Sequence, residues 1–181
     1  MQRDIRKQTT HTHEVPSPWI TEHATLISAG GRVLDLACGS GRHSIWLAQQ
    51  GYQVDAIDRD ASALAGMSHI NNIHVHIADL EADEVYTFNH HYDGIIVSRY
   101  LYRPLLNTLA LILNPKGVLI YETFMLGNER YGKPSSPNFL LQPDELLDAY
   151  SPVLRIVAFE QGEVMQPRPA VMQRICAIKQ D

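Results

Sequence analysis

The chain has 181 residues, 45% of them hydrophobic and 19% charged, with a formal net charge of −5. That is enough chain for one core, too apolar for a disordered segment, and without the basic surplus that marks a nucleic-acid-binding domain. No apolar run reaches the length of a membrane span, and the polar start (Gln2, Arg3, Asp4, Arg6, Lys7, Gln8) does not read as a signal peptide. Cys38 and Cys176 lie far apart and set no disulfide framework, so a reducing cytoplasm is expected.

In chain order, residues 1–15 read as a flexible polar tail. His11, His13 and Glu14 carry metal-binding chemistry, but three groups on a tail define no ligand set, and no metal is expected. Residues 16–29 form a leading helix, capped by Ser17 and opened by Pro18, with Trp19, Ile20, His23, Leu26 and Ile27 on its apolar side. Its large side chains stand just ahead of the first strand, where they can cover a ligand pocket. Val33, Leu34 and Leu36 make that strand apolar on both faces. It runs through Cys38-Gly39-Ser40-Gly41 into a helix over 41–50, closed by Gly51.

A second strand over 53–58 ends on Asp58, and a short helix follows over 59–68. The third strand, 73–79, alternates apolar and polar residues as an edge strand does. His74 and His76 share one of its faces; with no third ligand in place, a solvent-facing edge accounts for them. After an irregular acidic stretch come a fourth strand over 92–98, a helix over 104–113, a turn at 114–117 and a fifth strand over 118–124. The irregular segment 125–143 is long enough to expect a function, and it is predicted to close over a substrate. A short helix begins at Pro143. Strands over 153–160 and 170–178 close the chain and, with no helix between them, should pair antiparallel. The pattern implies a single α/β domain over 1–181. Its expected sheet is doubly wound, Rossmann-like and seven-stranded, mostly parallel with the last strand antiparallel, and takes its ligand at the carboxyl ends of the strands.

The glycine turn suits a ligand bearing a carboxylate, a phosphate or a ribose. The dinucleotide fingerprint G-x-G-x-x-G wants a third glycine where Ser44 stands. The run Asp35-Leu36-Ala37-Cys38-Gly39-Ser40-Gly41 instead resembles, position by position, the D-x-x-x-G-x-G segment of class I methyltransferases that use S-adenosylmethionine. Asp58 suits a ribose diol in either family. Asp79 with Leu80 resembles the adenine-recognising position of the methyltransferases, which dinucleotide enzymes do not require. Cys-Gly-x-Gly-Arg before an apolar helix looks like the small bacterial tellurite-resistance (TehB-like) methyltransferases.

The resemblance implies S-adenosylmethionine as cofactor and S-adenosylhomocysteine as product. It places Asp35 on the amino group of the methionine end, and Gly39 and Gly41 along the methionine and ribose. It extends the contacts to Ala37, Cys38, Arg42, His43, Arg59 and Ser98. Methyl transfer is an in-line displacement that needs alignment more than a dedicated catalytic group. The catalytic residue is therefore open, with Arg99, Tyr102, Arg103, Glu122 and Arg130 as candidates at strand ends. Strand alternation lets only one of Tyr121 and Glu122 face the site. Residues 98–101 (Ser-Arg-Tyr-Leu) lack the Asn/Asp-Pro-Pro-aromatic motif of enzymes that methylate amino groups of DNA or protein glutamine. The arginines and tyrosines here suit a small acceptor, anionic or aromatic. No nucleic-acid or membrane partner is expected, and no feature indicates an oligomeric state. An NAD-dependent oxidoreductase and a non-catalytic cofactor-binding module of the same fold stay open as alternatives.

Overall fold

In the computed structural model, which describes residues 15–83 and 86–181, seven strands pair into one sheet. They are β1 (Arg32–Leu36), β2 (Gln53–Asp58), β3 (Ile73–Ile77), β4 (Tyr92–Ser98), β5 (Leu113–Phe124), β6 (Arg155–Val164) and β7 (Ala170–Ile178). The sheet order is β3-β2-β1-β4-β5-β7-β6. The first five strands run parallel, while β7 lies antiparallel between β5 and β6. His11, His13 and Glu14 fall outside the described residues.

The two-residue period of the strands sorts their side chains into two cores. Val33, Val54, Ala56, Ile96 and Ile120 face Trp19, Ile20, Leu47 and Leu64 on one side. Leu34, Leu36, Ile95, Val97, Leu119 and Tyr121 face Leu109, Leu146 and Tyr150 on the other. Helices α1 (Pro18–His23), α2 (Arg42–Gln49) and α3 (Ala61–Ala65) thus cover the first face, and α4 (Leu106–Leu111) and α5 (Glu145–Tyr150) the second. Both layers are needed because the central strands are apolar on both sides.

Local chemistry sets the helix starts. Asp60 caps α3 by accepting from the Ser62 and Ala63 N–H groups, so this helix begins later than its composition suggests. Pro18 opens α1 as expected, but the helix expected over 16–29 stops at His23, and a 3-10 turn over Ala24–Leu26 follows that leaves Leu26 exposed. Ser17 stands at the cap position without a capping bond, its hydroxyl turned to Glu122 instead. The turn at 114–117 is an irregularity within β5: pairing jumps from Tyr92–Leu113 to Gly94–Val118. Strand β3 is the sheet edge, with Ile77 and His74 exposed. His76 Nε2 stands 3.6 Å from Asp55 Oδ1, whose carboxylate also receives a two-pronged pair of bonds from Arg32.

The segment 125–143 is ordered by short 3-10 turns at Asn128–Tyr131 and Pro137–Phe139 and by a bridge from Met125 to Leu141. Arg103 holds it further, donating to the carbonyls of Asn138 (3.0 Å) and Leu140 (2.9 Å) and to both oxygens of Glu145.

Candidate active site

Strand β1 ends where three alternate residues, Ala37, Gly39 and Gly41, take left-handed backbone, with φ of 53°, 56° and 79°. The chain thereby coils back over its own strand end before α2 begins. Gly41 has no room for a side chain: a Cβ there would lie 1.6 Å from Met67 Sδ. Arg99, just past β4, also takes φ 56°, an uncommon state for a residue with a Cβ. Its N–H donates to the Glu122 main-chain carbonyl at 2.9 Å, which fixes the bend.

These bends open two adjoining cavities at the carboxyl ends of the strands. The first, about 230 Å³, is lined by Asp35, Ala37, Cys38, Gly39, Ser40, Arg42, His43, Ser98 and Arg99. The second, about 320 Å³, is lined by Ala37, Asp58, Arg59, Ala78, Asp79, Leu80, Glu81, Arg99, Tyr100 and Phe139. Ala37 and Arg99 border both. Every cofactor residue expected from the motif lines one of the two except Gly41, whose part is to let α2 pass close to Met67. Ser40, Ala78, Glu81, Tyr100 and Phe139, with Arg99, complete the walls.

Asp35 is buried beneath α2 and accepts a 2.5 Å hydrogen bond from the Ser44 hydroxyl. Burial pushes its carboxyl up to about 6 although Ser44 and Arg42 pull the other way. Asp58 accepts from the Gly39 N–H (2.7 Å) and the Asp60 N–H (2.9 Å), one on each oxygen. The glycine turn and the second strand end are thus locked together, with one lone-pair site on each Asp58 oxygen left for a diol. Asp79 accepts from the Glu81 N–H. Tyr100, on the far wall, buries its hydroxyl without a well-aligned hydrogen-bond partner among the described residues. Burial, then Asp35 and Asp58, pushes the Cys38 thiol well above its ordinary range, so it lines the cavity as an unreactive thiol.

His43 and Glu122 carry the site beyond the two cavities. Burial, with Arg42 and Arg99 nearby, pulls His43 down to about 3, and its neutral Nε2 accepts from the Ser17 N–H at 3.2 Å. Glu122 is 2% exposed. Its carboxylate accepts from the hydroxyls of Ser17 (2.8 Å) and Ser98 (2.9 Å), and Ser98 in turn accepts from Arg42. Arg174, opposite Glu122 in the β5–β7 register, brings its Nε to 3.7 Å. Tyr121 points to the other core and donates to the Tyr100 carbonyl, so Glu122 is the member of that pair on the site face.

The remaining catalytic candidates are placed apart. Arg103 is engaged by Glu145 and two carbonyls. Arg130 pairs with Glu163 and stacks on Tyr131. Tyr102 precedes the 3-10 turn at Arg103–Leu105. Among the described residues no group of three His, Cys, Asp or Glu side chains could hold a metal, and no helix is long and apolar enough to cross a membrane.

A parallel sheet with β7 reversed between β5 and β6, carrying a glycine turn and acids at three neighbouring strand ends, is the fold of the class I methyltransferases. The chain belongs to the family described as tellurite resistance protein TehB, whose family model matches residues 5–114. It is similar in structure to TehB from Haemophilus influenzae, with a TM-score of 0.73 and 22% identity over 89% of this chain and 61% of that one. The N-methyltransferase NodS from Bradyrhizobium japonicum WM9, solved with S-adenosyl-L-homocysteine, aligns with a TM-score of 0.66 and 16% identity over 91% of this chain and 89% of its own. In sequence the chain is 29% identical to YqeM of Bacillus subtilis (strain 168), which carries a provisional methyltransferase name, over 122 residues, or 61% of this chain. It spans about half of that relative, the matched part being 49% of its length.

Proposed function

We propose that the chain transfers the methyl group of S-adenosylmethionine to a small anionic or aromatic acceptor by in-line displacement. The observation that carries this reading is the pair of adjoining cavities with a carboxylate at each successive strand end. Asp35 would meet the α-amino group of the methionine end, Asp58 the ribose diol, and Asp79 with the Leu80 N–H the adenine edge. Tyr100, whose buried hydroxyl lacks a well-aligned partner, would gain one from a polar ligand. When bound, the cofactor supplies a methyl carbon already activated by positive sulfur; the chain's residues align, desolvate and exclude water. Further support comes from Ser44, which stands where a dinucleotide site has its third glycine and holds Asp35 instead. The bound S-adenosyl-L-homocysteine of NodS, a protein of the same fold, points the same way.

Calorimetric titration with S-adenosylhomocysteine and with NAD tests the donor, and labelled-methyl transfer into fractionated metabolites tests the activity. Saturable binding of S-adenosylhomocysteine and none of NAD is expected. Binding of NAD alone would sink the reading. The rest of the donor contacts are tested by Asp58→Ala, expected to weaken S-adenosylhomocysteine by about tenfold or more, as one to two charge-assisted hydrogen bonds are worth.

A further inference from the structure

A third cavity, about 190 Å³, borders the first donor cavity along Arg42 and Arg99, which line both. Its floor is Glu122 and its roof the segment Val15–Pro18, while Pro167, Met172 and Arg174 close the side formed by β7 and the loop before it. Prolines, Val15 and Met172 supply its apolar walls beside three arginines, and two further polar groups, Ser17 and Glu122, are built in at a cost. Ser17 gives up its capping bond to α1 in order to donate to Glu122, 105 residues away in sequence. Among the described residues, buried Glu122 accepts from two neutral hydroxyls, while Arg174 stays beyond hydrogen-bonding distance at 3.7 Å. A structural carboxylate would be expected to draw its arginine into direct contact. Here that position is held by a serine hydroxyl that also lines the cavity and keeps lone pairs free to accept a proton.

We propose that this cavity receives the methyl acceptor, and that the Ser17–Glu122 pair removes the proton of a neutral hydroxyl or thiol nucleophile as it is methylated. The inference rests on the donor reading above and narrows its acceptor, from anionic or aromatic, to an aromatic one that binds with its hydroxyl or thiol protonated. The nucleophile's proton passes to Ser17 Oγ as the Ser17 proton passes to Glu122 Oε2. The freed lone pair forms the bond to the methyl carbon, and the pair of the broken carbon–sulfur bond returns to sulfur. The proton on Glu122 then leaves to solvent with the products. Acceptors of roughly ten non-hydrogen atoms suit the volume. The charged groups around Glu122 are Arg174 of β7 with Glu160 of β6 behind it, Arg42 of α2 acting through Ser98, and Arg99 at the end of β4. His43 of α2 faces Ser17 as a neutral ring.

The test uses 4-nitrophenol and 4-nitrothiophenol, whose ionised forms are coloured. Their affinity for the S-adenosylhomocysteine complex is measured across the pH range in which each ionises, alongside methyl transfer from S-adenosylmethionine. Wild-type protein is expected to bind the protonated probe in preference to its anion; Glu122→Gln loses that preference. At neutral pH Glu122→Gln is expected to transfer methyl roughly 10²–10⁴-fold more slowly, the usual worth of a positioned base, and to recover as pH ionises the probe. Ser17→Ala, which keeps the carboxylate, should fall between the two. Equal discrimination by wild type and Glu122→Gln overturns the inference. So does a neutral-pH rate unchanged in Glu122→Gln, or a wild-type protein that binds S-adenosylhomocysteine but methylates neither probe. Failure of wild type to bind S-adenosylhomocysteine is a different result: it overturns the donor reading and this inference with it. S-adenosylhomocysteine affinity retained by both variants shows that they are folded.

Discussion

Asp35 and His43 sit a few residues apart under one helix and are displaced from their ordinary titration ranges in opposite senses of stability. Asp35 titrates near 6 in the folded chain and near 3.8 when unfolded, so the folded state holds its proton more tightly. Its contribution to stability is full below about 4 and is lost as pH rises to about 6. Asp35→Asn is therefore expected to stabilise the ligand-free protein at pH 7, by on the order of 1–3 kcal/mol, while weakening S-adenosylhomocysteine. Wild-type affinity for that ligand should fall below pH 6 by up to about tenfold per unit; thermal unfolding and calorimetry read the two effects separately. His43, titrating near 3 against an ordinary 6.5, gives stability that is present above 6.5 and lost on acidification. Between pH 4 and 6 the two slopes oppose each other, and His43→Gln should unmask the falling slope of Asp35 in denaturant midpoints. At Gly41 the left-handed backbone and the Met67 contact both reject a methyl group. Gly41→Ala is expected to cost about 1–2 kcal/mol for conformation and about 1–3 kcal/mol for crowding, with Met67→Ala in the same chain relieving only the second. Asp35, Asp58 and Asp79 were legible in the sequence because motif spacing survives without coordinates. Ser44 and Ser17 were legible only as a missing glycine and a helix cap; their hydroxyls serve partners that no local pattern reveals. Arg174 needed the β5–β7 register, which places it opposite Glu122.

At the level of elements, the segment 125–143 is irregular, as its composition suggests, but it is tied down by contacts that composition does not show. Arg103 ties two of its carbonyls to Glu145 on α5, and Arg130 and Tyr131 tie it to Glu163 on β6. Such ties join residues 32 to 42 positions apart, beyond any short-range signal. Phe139 borders the cavity of Asp58 and Asp79, and no residue of the segment lines the cavity above Glu122. Arg103→Ala is expected to raise limited proteolysis at 133–139 several-fold and to weaken S-adenosylhomocysteine through Phe139, with little change in global unfolding, because the pair is partly exposed. Unchanged cleavage would mean that the 3-10 turns hold the segment by themselves. The central strands were easier to read, since buried parallel strands announce themselves as apolar runs. The junction at 114–117 was harder, because Asn-Pro-Lys-Gly satisfies turn chemistry and a bulge alike.

Across the whole molecule the donor cavities and the third cavity share Arg42 and Arg99 but draw their remaining walls from different stretches of chain. The donor cavities are built from residues 35–100 with Phe139 added, inside the span matched by the family model apart from that one side chain. Glu122, Gln166, Pro167, Met172 and Arg174 of the third cavity all lie after that span. Changes confined to Gln166, Pro167 and Met172 are thus expected to alter which probe is methylated while leaving S-adenosylhomocysteine affinity close to wild type. Position within the sheet adds a constraint of timing. β7 is the last strand in chain order but an inner strand in space, with Ile175, Cys176 and Ala177 fully buried. Until it is in place, β5 presents a bare hydrogen-bonding edge and β6 has no neighbour. A ribosome-bound chain can therefore assemble its glycine turn and first strands early, yet Arg174 reaches Glu122 only when the sheet is sealed.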